Sequence, residues 1–334
     1  MDSDYEQSGK DVRIASLWDG MGSIVKRTYK QRSSGDSVSV MVKTVAPKKP
    51  ASRPTESFQR KIISYQVERY FYSIMNQLVP LPVEPCMFRV ARLYASAPTV
   101  LFMEDLSVAY PDTMSALVTQ VEAKAALKWF ANLHGYFMGS SSSSQSHPLR
   151  SMTETTSTEE GVWDQGSYWY LATRSSEFSR LDKDWQQLGT RVDELLLSIP
   201  KDLTTLIHGD AKTENCLLNH AMLDSDGLPA IAFCDFQYVG YGSGMKDVVY
   251  FLATSIDWLD EKVEAELLDW YFTCLIRALK KRGSVWKTFT KEVMMDQFEL
   301  CMIDWLRFMK GWGLWGNASY VQSRVSKIRK SRGW

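Results

Sequence analysis

The sequence has little cysteine and arranges it in no useful pair: Cys86, Cys216, Cys234, Cys274 and Cys301 form no C-x-x-C, are odd in number, and four of them sit among apolar neighbours. A disulfide framework or a cysteine-held zinc is therefore not expected, and buried thiols in a reducing compartment are. Excess charge of either sign is also missing, because Lys plus Arg and Asp plus Glu both total 39. Without a global basic field, nucleic acid is not an expected partner, and the basic stretch at 324–332 (RVSKIRKSR) reads as a solvated helix end. No run approaches the roughly 20 apolar residues of a membrane span. The start, MDSDYEQSGKD, is polar and acidic rather than leader-like. The expectation is no membrane partner and a cytoplasmic location, where Asn317-Ala318-Ser319 is no glycosylation signal.

What is present is a chain of 334 residues, long enough for two lobes with sizeable cores. It is organised around residues 206–251: LIHGDAKTENCLL, a short spacer, then AIAFCDFQYVGYGSGMKDVVYF. The first half places His208, Asp210 and Asn215 in a loop after an apolar strand-like run, and the second places Asp235 at the end of another. A single Asp or Asn in a loop is usually a turn or capping residue. Together, at this spacing and with strands on both sides, they outline a metal-phosphate site. Phosphoryl transfer needs a carboxylate to take or orient the acceptor hydroxyl and oxygen ligands to hold Mg²⁺ against nucleotide phosphates. Asp210 suits the first task, Asn215 and Asp235 the second.

These motifs resemble those of the kinase-like phosphotransferase superfamily, in its aminoglycoside-phosphotransferase, choline-kinase and ecdysteroid-kinase-like branch. His208-Gly209-Asp210 looks like that branch's H-G-D, where protein kinases carry H-R-D, and Asp235-Phe236-Gln237 stands where protein kinases carry D-F-G. Lys212 is similar to the catalytic-loop lysine that reaches the γ-phosphate. The resemblance implies ATP and Mg²⁺, and an α+β, protein-kinase-like fold. Its two lobes would be a small N-terminal antiparallel-sheet lobe (residues 11–106) and a larger, mainly helical C-terminal lobe (107–334).

The N-terminal half supplies the rest of the expected site. Residues 1–10 read as a disordered lead. Two strands then flank a turn at Asp19, Gly20, Met21 and Gly22. In the resembled family, a glycine-containing loop here would lie over the phosphates, with Gly20 and Gly22 freeing backbone N–H groups. SVSVMVKTV alternates with period two and puts Lys43 on a face with Met41 and Val45, which is costly unless the ammonium meets an anion or snorkels out. A Pro-rich loop at 47–54 precedes a helix, capped by Thr55 or Ser57, that runs to about Leu78 with Tyr65, Glu68, Tyr72 and Met75 on one stripe. The resemblance implies a Lys43–Glu68 ion pair. A further strand pair ends at Met103, Glu104, Asp105 and Leu106, similar to the hinge whose backbone pairs with adenine.

Residues 113–138 read as an amphipathic helix with Leu117 and Val121 on its core stripe and His134 as a packed histidine. A flexible Ser/Thr-rich loop is expected over 139–161. Helices are expected at 185–199, 260–281, 286–310 and 318–330. Trp258, Glu299, Asp304, Trp305, Trp312 and Trp315 are candidates for an acidic and aromatic acceptor pocket, with plain helix packing as the alternative. Only about a dozen residues separate Asp235 from Asp247, with no A-P-E and no long activation segment. A small-molecule hydroxyl is therefore favoured over a peptide as acceptor, with a protein kinase or a catalytically silent nucleotide-binding protein as alternatives. Asp247 is read as a helix cap or buried anchor for the catalytic loop. Amino alcohols, steroid-like alcohols, sugars and aminoglycosides all serve the resembled superfamily, and neither the choice among them nor the oligomeric state is legible.

Overall fold

A computed structural model describes residues 4–47, 56–78, 88–114, 116–139, 151–152, 160–281 and 287–334. The chain begins with β1 (Tyr5–Ser16), β2 (Gly22–Gln31) and β3 (Ser37–Val45), followed by α1 (Glu56–Leu78), β4 (Leu93–Ala97) and β5 (Val100–Glu104). These strands form one antiparallel sheet in the order β1-β2-β3-β5-β4. The β3–β5 register runs from Val40 opposite Glu104 to Thr44 opposite Val100, which sets Lys43 beside Leu101. α1 joins this sheet to the rest of the molecule: its Val67, Phe71 and Met75 share the main hydrophobic core with Leu101 and Met103. Leu17, Met21, Val45 and Tyr65 make a smaller cluster that pins the β1–β2 turn down on α1.

Residues 5–10, expected as a disordered lead, are strand. Their polar composition suits an edge strand whose side chains are nearly all exposed, and the bidentate Arg27–Asp11 pair (2.8 and 2.7 Å) ties β1 to β2. The expected helix at 113–138 starts later. Asp112–Thr113 is a short strand, β6, and α2 (Gln120–Phe137) is opened by a reciprocal capping box between Thr119 and Glu122. Leu117 and Val121 are accordingly exposed rather than core. The Pro-rich loop at 48–54, the cap at Thr55, the Ser/Thr-rich loop over 140–150 and 153–159, and Cys86 lie outside the described residues.

The larger region continues with β7 (Ser151–Met152), β8 (Val162–Trp163), the single turn α3 (Ser175–Phe178), α4 (Lys183–Leu197), β9 (Thr205–Ile207), β10 (Cys216–Leu223), β11 (Pro229–Phe233) and β12 (Gly240–Gly242). It ends with α5 (Met245–Ser255), α6 (Glu261–Lys280), α7 (Lys291–Trp312) and α8 (Ala318–Arg332). The helix expected at 286–310 thus starts a few residues later, whereas the one expected at 318–330 starts at Ala318. Thr290 caps α7 and Asp260 caps α6 through side-chain oxygens. β10 and β11 form a hairpin with Cys216 opposite Phe233, so Asn215 and Cys234 flank its open end.

Candidate active site

The loop after β9 is held by one buried carboxylate. Asp247, in the first turn of α5, accepts the backbone N–H of His208 at 2.6 Å and of Gly209 at 2.9 Å. It also lies 3.2 Å from His134 Nε2, and His134 Nδ1 meets the Tyr271 hydroxyl at 2.8 Å. The buried Asp247, His134 and Tyr271 side chains are therefore each partnered, as burial demands. Gly209 has φ +81°, and a Cβ there would stand 2.2 Å from the Tyr238 carbonyl oxygen, so the sharp turn that aims Asp210 requires glycine. The His208 ring packs on Phe236 (4.6 Å between centroids), and its Nε2 meets the Cys234 carbonyl at 3.0 Å.

Asp210 is 6% exposed and strongly engaged. Asn215 Nδ2 donates to its backbone oxygen (2.9 Å) and to Oδ2 (3.2 Å), Lys212 Nζ lies 3.2 Å from Oδ2, and the Tyr250 hydroxyl donates to Oδ1 at 3.3 Å. Burial lifts the Asp210 carboxyl above its ordinary value, Lys212 draws it back and Asp235 pushes it further up. Burial works against the Lys212 ammonium, yet Asp210 outweighs it and keeps Lys212 charged.

On the other side of the loop, Lys43 is 2% exposed and lies 2.9 and 2.7 Å from the two oxygens of Glu68, itself 1% exposed. Asp235 Oδ1 is 3.3 Å from the same ammonium. Burial pulls Lys43 down, but Asp235 and Glu68 reverse that, so the shift is upward and the charge is kept. Burial raises Glu68, with Lys43 opposing. Burial works against the Asp235 carboxylate, but Lys43 outweighs it and holds Asp235 below the usual carboxylate range.

The Asp235 segment is fastened to the same stripe of α1 that carries Glu68. Phe236 stacks on Phe71 (4.2 Å, 21°) and meets Tyr72 edge-on (5.6 Å, 83°), while Ser64 Oγ donates to Gln237 Oε1 at 3.1 Å. Ser64, Glu68, Phe71 and Tyr72 follow helical spacing, so one face of α1 positions the ion pair and the DFQ segment together. Asp235 has φ +66°, an uncommon left-handed conformation for a non-glycine, at a residue whose side chain is 37% exposed.

Asn215 and Asp235 come together because the Cys234 N–H donates to the Asn215 carbonyl (2.9 Å) at the hairpin's open end. With Asn215 Nδ2 committed to Asp210, its Oδ1 and the accessible Asp235 carboxylate are the available oxygens. Among the described residues no group of three His, Cys, Asp or Glu forms a metal cage. Two protein oxygens still fit magnesium, which keeps several waters and takes the rest of its shell from phosphate.

The turn expected over the phosphates spans Trp18–Gly20, closed by Leu17 N–H donating to the Gly22 carbonyl at 2.9 Å. Gly22 has φ +144°, and a Cβ there would lie 1.9 Å from the Thr44 oxygen. The hinge-like side chains do structural work. Met103 and Leu106 are buried, and Glu104 binds Arg89 (2.5 Å) and the Arg92 N–H (3.1 Å). Asp105 binds Lys26 (2.8 Å), Ser39 (2.6 Å) and Ser107 (2.5 Å).

Of the residues expected to wall the space beyond Asp210, Trp312 and Trp315 lie there, while Glu299, Asp304 and Trp305 do not. Asp304 and Trp305 are buried inside α7, with Asp304 paired to Arg307 at 2.8 Å, and Glu299 is paired with Arg332. These three follow the helix-packing alternative. The wall instead starts at Tyr250, whose hydroxyl meets that of Tyr168 at 3.0 Å. Tyr168 packs against Tyr238 (5.4 Å) and Phe308 (5.7 Å), Phe308 stacks on Trp312 (5.9 Å), and Trp315 meets Tyr250 at 6.3 Å. Arg174 lies over Tyr168, Phe308 and Trp312.

The sequence matches the ecdysteroid kinase-like family over residues 18–284. The chain belongs to that family. This ecdysteroid kinase-like protein is thereby a member of the kinase-like phosphotransferases, and its fold is that of solved small-molecule kinases. A choline kinase from Cryptosporidium parvum is similar at TM-score 0.53 and 12% identity, over 100% of this chain and 92% of the other. An ethanolamine kinase from Plasmodium vivax is similar at TM-score 0.50 and 12% identity, over 97% and 81%. No curated protein matches the sequence.

In this ecdysteroid kinase-like protein, the residues missed by sequence reasoning are Tyr168, Arg174, Tyr238 and Tyr250. Tyr250 sits in an apolar helix and reads as core, and the aromatic stretch around Tyr168 shows no period that separates packing from lining. No local signal marks them.

Proposed function

We propose that this protein transfers the γ-phosphoryl group of ATP to a hydroxyl of a small molecule. The observation that carries the reading is the continuous chain of charge from Glu68 through Lys43 to Asp235, set across one hairpin end from Asn215 and Asp210. Lys43, kept cationic and braced by Glu68, holds the α- and β-phosphates. Asn215 Oδ1 and the Asp235 carboxylate hold magnesium, which would neutralise charge developing on the phosphate oxygens. Lys212 reaches the γ-phosphate, the turn at Gly20 and Gly22 covers the phosphates, and the backbone at Met103, Glu104, Asp105 and Leu106 seats the adenine. Asp210 orients the acceptor hydroxyl and takes its proton on Oδ1, the oxygen not bound by Asn215 and Lys212.

A small acceptor is favoured over a peptide because the Asp235-to-α5 connection is short and internal. Phe236 and Val239 are fully buried, and Gly240–Gly242 is already strand, paired with β9 and β8. No peptide platform is built from residues committed in this way.

The test is ADP release from Mg-ATP in the presence of a fractionated metabolite pool, comparing wild type with Asp210→Asn. Release that depends on the fraction and disappears in the variant supports the reading and leads to the acceptor. Equal release by both proteins removes Asp210 from the chemistry. Nucleotide binding without release from any fraction turns the reading toward a protein acceptor or a silent nucleotide-binding role.

A further inference from the structure

Arg174 occupies an aromatic cage. Its guanidinium carbon lies 5.4 Å from the Tyr168 ring centroid, 5.6 Å from that of Phe308 and 4.8 Å from that of Trp312. Tyr168 and Phe308 stand at 90° to each other, and Phe308 and Trp312 are stacked at 29°, so the rings enclose the cation on several sides. Nε and Nη2 both donate to the Tyr168 carbonyl, at 3.1 and 2.8 Å. The Glu177 carboxylate stands 3.6 Å from Nη1. Three ring faces and one carboxylate are what a free ammonium ligand seeks, and here the chain's own arginine already fills the place.

The cage belongs to the acceptor wall. The hydroxyl of Tyr168 meets that of Tyr250, which donates to Asp210 Oδ1. Lys212 adds an ammonium beside Asp210. A cationic acceptor would find the ring faces already taken by a cation.

We propose that Arg174 is a specificity-determining residue: by serving as the built-in occupant of the Tyr168–Phe308–Trp312 cage, it excludes ammonium-bearing alcohols and restricts the acceptor to uncharged or acidic alcohols. The inference takes the small-molecule phosphotransfer reading as its basis, since it places the acceptor on this side of Asp210. It also parts this chain from the cationic amino alcohols named for its two structural relatives, whose shared fold carries no acceptor.

The experiment compares choline with its uncharged carbon isostere, 3,3-dimethylbutan-1-ol, by ligand-observed NMR on the full chain. Wild type is expected to bind the uncharged probe about tenfold more tightly than choline. Arg174→Gln keeps a donor for the Tyr168 carbonyl and removes the charge, and it is expected to reverse the preference. Arg174→Lys keeps the charge and the wild-type order. Choline bound by wild type as tightly as the isostere overturns the proposal, as does an unchanged preference in folded Arg174→Gln. Failure of wild type to bind either probe removes the acceptor seat from this wall. Should Arg174→Gln not fold, the wild-type and Arg174→Lys measurements still decide. The probes report binding alone, so absent ADP release with intact discrimination would sink phosphotransfer and leave the cage standing.

Discussion

On one side of Asp210 stand Lys43, Glu68, Asn215 and Asp235, charged or amide groups held by hydrogen bonds and ion pairs of about 3 Å. On the other stand Tyr168, Tyr238, Tyr250, Phe308 and Trp312, rings held mostly by packing. The first set comes from short motifs and one strand-helix pair. The second is drawn from the stretch before α4, the segment after β11, and the helices α5 and α7. Phosphate and metal chemistry tolerates little displacement, since a misplacement of about 1 Å can cost a hundredfold in rate, and fixed spacing within a loop is the surest way to hold position. A wall of rings can be met by many combinations that fill the volume, so it leaves no fixed pattern in the chain.

The contrast can be broken by mutation. Asp210→Asn should lower turnover on the order of 10²- to 10⁴-fold if Asp210 is the base, read as ADP release; unimpaired turnover at normal stability would end the contrast at its centre. Asp247→Ala leaves the N–H groups of His208 and Gly209 buried without an acceptor, and at about 1–3 kcal/mol for each the protein should lose roughly 2–6 kcal/mol in urea unfolding. A loss under 1 kcal/mol would show that the loop holds itself.

The pH profile sharpens the same side. Because burial lifts Asp210 above the ordinary aspartate value, the acid limb of kcat should lie above that value, with activity lost as pH falls and the base becomes protonated. Lys212 lowers Asp210, so Lys212→Met should move the limb to still higher pH. A limb at or below the ordinary aspartate value in wild type would contradict this environment.

Across the loop the effects should be graded rather than abrupt. Tyr250→Phe removes one hydrogen bond to Oδ1 and keeps the ring, so kcat should fall by about two- to tenfold, well short of the Asp210 effect. Smallest of all, Asp184→Asn removes an exposed surface pair with Arg329 and should shift stability by no more than about 1 kcal/mol. A larger shift would mean that the comparison of the two sides overlooks the surface.

Legibility in the sequence follows the same division. The period-two run of β3 placed Lys43 on a buried face, the stripe of α1 placed Glu68 opposite it, and the H-G-D and D-F-Q motifs placed the remaining polar groups. Composition misled at the N-terminus, where polar residues 5–10 form an edge strand that water can solvate on its exposed side. It also misled in α7, where Asp304 finds Arg307 within its own helix and needs no pocket. Arg174 lies in an aromatic stretch without period, and its three ring partners are distant from one another in the chain except for Phe308 and Trp312.

By itself the sequence determined the fold class, the main strands and long helices, and the spacing of the polar set around Asp210, because hydrophobic period and loop length act over a few residues and are written locally. Only the tertiary structure decided that one face of α1 fastens both Glu68 and the Asp235 segment, that Asp247 takes the anchor role of the two the sequence left open, and that a guanidinium fills the cage beside Asp210. Each depends on which distant side chains arrive at the same few ångströms, and that is settled by close packing of the whole chain.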